Sequence, residues 1–208
     1  PEPITIKPPD RRTRPGTILA EQYELTERIG TGGMAEVWRG FTLGANDFRR
    51  PIAVKKILPD LVGQPEFAAL FTEEARVVAA LQHPNIVPIY DFRQDELGQY
   101  FIVMEFVDGL DVGRWIISHL TQKLPTPVPV LVEIGIAILR GLSAAHERLD
   151  ALGEPSPVFH RDVTPSNVLM SRHGAIKLGD FGISRAMDRI TMTTPGVVRG
   201  KIAYAVSC

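Results

Sequence analysis

"FHRDVTPSNVLM", residues Phe159–Met170, places a histidine, an arginine, an aspartate and an asparagine between His160 and Asn167, directly ahead of a short apolar run. Further on, "KLGDFG" at Lys177–Gly182 supplies a second aspartate behind a second short apolar run. Asp162 and Asp180 are carboxylates and Asn167 is an amide, the hard or neutral oxygen ligands that Mg²⁺ prefers. They fall on two short loops that bracket the strand-like runs "VLM" and "IKL", and such a hairpin can present all three to one site. Either loop alone reads as ordinary turn chemistry, because Asp and Asn are common turn formers. The ordered set argues for more.

The remainder of the 208 residues bounds the answer. With 44% apolar and 23% charged residues the chain can bury a core, and a formal net charge of −1 gives no global field toward nucleic acid or anionic lipid. A single cysteine, Cys208, excludes an internal disulfide framework and a thiolate zinc site and fits a reducing, cytoplasmic setting. The most apolar stretch, "VPVLVEIGIAILRGL", is interrupted by Glu133 and Arg140, so no membrane segment is expected.

The chain changes character along its length. Residues 1–22 are read as a flexible arm, because Pro1, Pro3, Pro8, Pro9 and Pro15 alternate with Lys7, Arg11, Arg12 and Arg14. From Tyr23, "YELTERIG", "AEVWRGF" and "PIAVKKIL" read as three antiparallel strands. "PEFAALFTEEARVVAALQ" sets Phe67, Leu70, Phe71, Glu74, Val78 and Leu81 on one helical stripe. Two more strands are expected at Ile86 to Phe92 and Tyr100 to Phe106. After Gly109 the period becomes helical, with Val130, Ile134, Ala137, Ile138, Leu142 and Ala145 on one face. The units expected are residues 23–107, rich in strand, and residues 108–208, rich in helix.

"IGTGGMAEV" lies between strand-like runs, which makes it a glycine-rich hairpin and disfavours a Rossmann turn or a Walker loop. Gly30, Gly32 and Gly33 lack side chains, so backbone N–H groups there can approach phosphate oxygens closely. In "IAVKKI", alternation sends Ile52 and Val54 to one face and Ala53, Lys55 and Ile57 to the other. A lysine among apolar neighbours needs an anionic partner, and Glu74, in the middle of its stripe, is the candidate.

Taken together, these motifs resemble the eukaryotic-type serine/threonine protein kinase family in its bacterial form, over about Tyr23 to Tyr204. The resemblance implies an α+β, bilobal protein-kinase-like fold: a β-rich N-lobe with one main helix, then an incomplete helical C-lobe. It implies transfer of the ATP γ-phosphate to Ser/Thr hydroxyls of protein substrates, with ATP and Mg²⁺ as cofactors. Asp162 would be the catalytic base. Lys55 would hold the phosphates, Glu74 would position Lys55, and Asn167 and Asp180 would hold the metal. The hairpin from Ile29 through Gly30, Gly32 and Gly33 to Val37 would cover the nucleotide. Val37, Ala53 and Leu169 would sandwich the base, with Met104 behind it, Glu105 and Val107 offering backbone hydrogen bonds, and Asp111 near the ribose. His160 would be structural. Arg161 would meet a phosphate on Thr191, Thr193 or Thr194, and self-association accompanies that expectation. Pro165 resembles the Ser/Thr branch, and "LDALGEPSP" reads as a surface loop.

Two departures stand out. Thr164 occupies a position where most such kinases carry lysine, and Lys201 stands where they carry threonine, so the reading is a cation relocated to Lys201 with Thr164 in support. After Tyr204 the family continues through a Pro-Glu motif into further helices, whereas this chain reads "AVSC". The alternative expectation is therefore a truncated, pseudokinase-like nucleotide-binding module that acts through a partner.

Overall fold

A computed structural model describes residues 13–32, 35–58, 69, 72, 75–76, 78–125 and 127–181. Six strands, β1 (Ile18–Leu19), β2 (Tyr23–Thr31), β3 (Ala35–Leu43), β4 (Arg49–Ile57), β5 (Ile89–Gln94) and β6 (Tyr100–Glu105), form a sheet in the order β1-β2-β3-β4-β6-β5. Every pairing in it is antiparallel. A second sheet joins β7 (Gly109–Asp111), β8 (Val168–Ser171) and β9 (Ile176–Leu178). Between β7 and β8 lie helices α1 (Val112–Thr121) and α2 (Val128–His146) and a 3₁₀ turn, Pro165–Asn167.

The alternation in β4 sorts its side chains as expected. Ile52 and Val54 enter a core with Leu25, Trp38, Phe101 and Val103, while Ile57 packs with Ala75 and Ile102. The backbone at 69, 72, 75–76 and 78–79 is helical, in line with the expected stripe. In α2, Ile134, Ala137, Gly141 and Ala145 are buried, and Val130, Ile138 and Leu142 pack against the same core. Among the described residues α2 is also the one helix long and apolar enough, by length and composition, to cross a bilayer. A core helix meets the same length and composition, and the inward face of α2 lies against β9 and the core, so the expectation of no membrane segment is not overturned.

Two boundaries differ from expectation. The arm does not extend to residue 22: Ile18 and Leu19 pair with β2, Leu19 is buried, and Gly16 N–H donates to Leu25 O at 2.7 Å. A two-residue strand is too short to display alternation in sequence. Ile86 does not open β5. It bridges in parallel to Leu178, with Val87 N–H donating to Leu178 O at 3.0 Å, so this segment is stitched to the small sheet. Pro88, which has no N–H to donate, separates that bridge from β5. "LDALGEPSP" is a solvent-facing turn as expected, closed by a Leu149–Pro155 bridge and by Asp150 Oδ1, which accepts from Leu152 and Glu154 N–H.

Candidate active site

The candidate site lies where the two sheets meet. Its upper half comes from β2–β4. The glycine-rich hairpin sets Gly30 opposite Val37, and Gly32 N–H donates to Ala35 O at 2.8 Å. A Cβ at Gly30 would lie 3.6 Å from Val37 Cβ, and one at Gly32 would lie 3.6 Å from Ala35 O, both ordinary contacts. Neither glycine has positive φ. The described part of the chain therefore does not itself require glycine at these positions.

Lys55 stands on β4 opposite Val37 and Ile102, and its Nζ donates to Asp180 Oδ1 at 2.7 Å. Glu74, expected as its partner, lies outside the described residues, as do Gly33, Lys201, Thr191, Thr193 and Thr194. Ala53 is buried two residues before Lys55 and pairs with Met104 on β6. Leu169 is central in the small sheet, between Asp111 and Lys177. Asp111 is the N-cap of α1, its Oδ1 accepting from Arg114 N–H at 2.9 Å. That role was missed in the sequence, although an Asp just before a helical run signals it.

The two chemistry-bearing loops are fastened to each other. Asn167 Nδ2 donates to the carbonyl of Asp162 at 2.8 Å and to its Oδ2 at 3.0 Å. With both amide hydrogens engaged, Asn167 Oδ1 is left as an acceptor, a donor atom of the type a hard cation takes. Asn167 O accepts from Gly179 N–H at 2.8 Å. His160 is 2% exposed; its Nδ1 accepts from Asp162 N–H at 3.2 Å, so Nε2 carries the proton and donates to Gly179 O at 2.8 Å. Burial holds its imidazolium form below the ordinary range despite the Gly179 carbonyl and the Asp180 and Asp162 carboxylates nearby. The ring lies 4.5 Å from that of buried Phe181. His160 is thus the structural link that the sequence suggested.

Arg161 and Asp180 both adopt positive φ, +65° and +56°. Neither is glycine, so each stores backbone strain beside the paired loops. Thr164 is buried, its Oγ1 3.0 Å from Ser166 Oγ, and its carbonyl accepts from Asn167 N–H at 2.9 Å. Arg161 is exposed.

Comparison with known proteins gives the family of the chain. The protein kinase domain model matches residues 23–204. The chain is 40% identical over 182 residues to the tyrosine-protein kinase MasK of Myxococcus xanthus, covering 88% of this chain and 28% of that protein. It is 35% identical over 189 residues to the probable serine/threonine-protein kinase PknB of Lactococcus lactis, covering 91% of this chain and 28% of that one. A crystal structure of the PknI kinase domain of Mycobacterium tuberculosis superposes with a TM-score of 0.64 at 30% identity, covering 83% of this chain and 62% of that one. The chain thus spans little more than a quarter of the length of those two curated relatives.

Proposed function

Because the chain belongs to the protein kinase domain family, we propose that it serves the transfer of the ATP γ-phosphate to serine or threonine hydroxyls of proteins, with Asp162 as the base. The observation that carries this reading is the chain of direct bonds from Lys55 to Asp180 and from Gly179 through His160 and Asn167 to Asp162. A transferring phosphoryl group needs neutralised charge and an aligned acceptor more than covalent help. Asp162 orients the acceptor hydroxyl and takes its proton. Lys55 sets a positive charge at the mouth of the glycine hairpin, whose bare backbone admits phosphate oxygens. Val37, Ala53 and Leu169 enclose the base, backed by Met104, and the backbone of Glu105 and Val107 supplies its polar contacts. Asn167 Oδ1 and the Asp180 carboxylate suit Mg²⁺, which when bound neutralises phosphate charge.

Thr164 brings no charge to the catalytic loop, so Lys201 is the cation we assign in its stead. Lys201→Ala then lowers kcat by about 10- to 10³-fold, the scale for losing one electrostatic stabiliser. Exposed Arg161 is the receiver of a phosphate on Thr191, Thr193 or Thr194.

A second reading, tyrosine as the acceptor, is favoured by the likeness to MasK, whereas Pro165 and the likeness to PknB favour serine and threonine. The test is phosphoamino-acid analysis of a generic basic protein incubated with the chain, Mg²⁺ and γ-labelled ATP. Phosphoserine and phosphothreonine that disappear in Asp162→Asn support the proposal. Phosphotyrosine alone would replace it with the second reading. Nucleotide binding without any transfer would leave a binding module.

A further inference from the structure

Only Phe106, Val107 and Asp108 separate β6 of the large sheet from β7 of the small one. Both ends of this linker are fastened to the β8–β9 hairpin. At the near end, Lys177 Nζ on β9 donates to Glu105 Oε2 at 2.7 Å, with the two side chains 16% and 28% exposed. At the far end, Arg172 donates through Nε to Asp108 Oδ2 at 2.9 Å and through a terminal nitrogen to Oδ1 at 3.1 Å. Arg172 N–H also donates to the Asp108 carbonyl at 2.9 Å. From the large sheet, the Arg39 guanidinium lies 4.9 Å from the Phe106 ring centroid. β9 itself is anchored, because Leu178 N–H donates to Asn85 O at 2.8 Å and Asn85 Nδ2 donates to Ile176 O at 2.9 Å.

We infer that Lys177 and Arg172 are positioning residues: the β8–β9 hairpin staples the linker at both ends and thereby fixes the backbone of 105–107 for the nucleotide. This inference rests on the kinase reading of that backbone. The two pairs differ in strength. The Lys177–Glu105 pair is mostly withdrawn from solvent, where screening is weak, whereas the Arg172–Asp108 side chains are 66% and 52% exposed and screened by salt. Bidentate geometry gives the outer pair direction more than energy. Removal of Lys177 therefore has the larger effect. Two functions are separated by this arrangement, since Lys55 carries charge to the phosphates while Lys177 acts through the linker alone.

The test is amide hydrogen exchange of the peptide covering residues 104–108, read beside KM for ATP and kcat. Lys177→Ala should speed exchange of that peptide by about tenfold and raise KM for ATP by about five- to twentyfold, with a smaller change in kcat. Arg172→Ala should move both in the same direction by about two- to threefold. The reversal Lys177→Glu with Glu105→Lys should restore slow exchange, which distinguishes a specific pair from general loosening and replaces the single variant if that one fails to fold. A Lys177→Ala protein that melts with the wild type and keeps both its exchange rate and its KM overturns the staple, as does a reversal that restores nothing. If the wild type binds no nucleotide, the kinase reading falls, while the exchange comparison still decides the staple.

Discussion

The six-stranded sheet and the helix pair α1–α2 bury apolar surface in opposite ways. In the sheet, Ile52, Val54, Phe101 and Val103 are wholly enclosed by strands of the same unit. The helices are finished on one side only. Ile134, Ala137 and Ala145 face the core, but Leu120 is 72% and Leu139 67% exposed, and Ile117, Leu124, Val128, Leu131 and Val132 are also exposed. Exposed apolar surface, where it is contiguous, marks a contact surface or an aggregation liability. The upper unit supplies its own solvent-free core, while the lower unit, which carries the two loops of the candidate site, holds them through polar ties as well as packing.

That comparison breaks first on core truncation. Phe101→Ala should destabilise by about 3–5 kcal/mol in a denaturant melt, through lost transfer free energy plus a cavity. Comparable stability in the variant would mean that the upper core is not self-contained. Gly141→Ala is a subtler probe of the lower unit. The added Cβ would stand 3.0 Å from the Asn85 carbonyl, a backbone atom that cannot swing away. Overpacking costs about 1–3 kcal/mol and helix propensity returns about 1, so a net loss of about 1 kcal/mol is expected, and a stabilised variant would contradict the tight approach.

The two units should also fail at opposite ends of the pH scale. His160 is held neutral by burial, its folded value below the ordinary one of about 6.5. Its contribution is complete above that value and is lost as pH falls below it, where the unfolded chain takes up a proton that the folded chain resists. Tyr23 donates to Asp91 Oδ2 at 2.7 Å, and its hydroxyl is pushed up to about 12, chiefly by burial and then by that bond. Its contribution is complete below about 10 and is lost as pH rises toward 12. Melts of His160→Gln should flatten the acid limb, and those of Tyr23→Phe the alkaline limb. The reverse assignment would overturn the two-unit account. The smallest effect is expected at Leu139→Ser, within about 0.5 kcal/mol but with less aggregation in light scattering.

Much of this was legible in the sequence because its signals are local. Strict alternation in "PIAVKKIL" fixed which side chains of β4 face which core, and the α2 stripe named nearly all of its inward residues. The residue types within His160–Asn167 and Lys177–Gly182, with the family resemblance they carry, pointed to the candidate site. What escaped depends on partners far along the chain. Glu105 and Lys177 are 72 residues apart, Asp108 and Arg172 are 64 apart, and Lys55 and Asp180 are 125 apart. No periodicity encodes such pairs. The stitch of Ile86 to Leu178 was invisible for the same reason, since an apolar run ahead of a strand reads as more strand.

The most direct test of the account is to separate nucleotide binding from transfer at the two charged residues that it treats differently. Thermal melts with and without ATP and Mg²⁺ should be run beside a transfer assay on the wild type, Lys55→Met and Asp162→Asn. The account predicts nucleotide stabilisation of the wild type and of Asp162→Asn, little stabilisation of Lys55→Met, and transfer reduced at least about tenfold in both variants, a loss of ~1.4 kcal/mol or more of transition-state stabilisation. Full transfer by Asp162→Asn, or nucleotide stabilisation of Lys55→Met equal to that of the wild type, would contradict it.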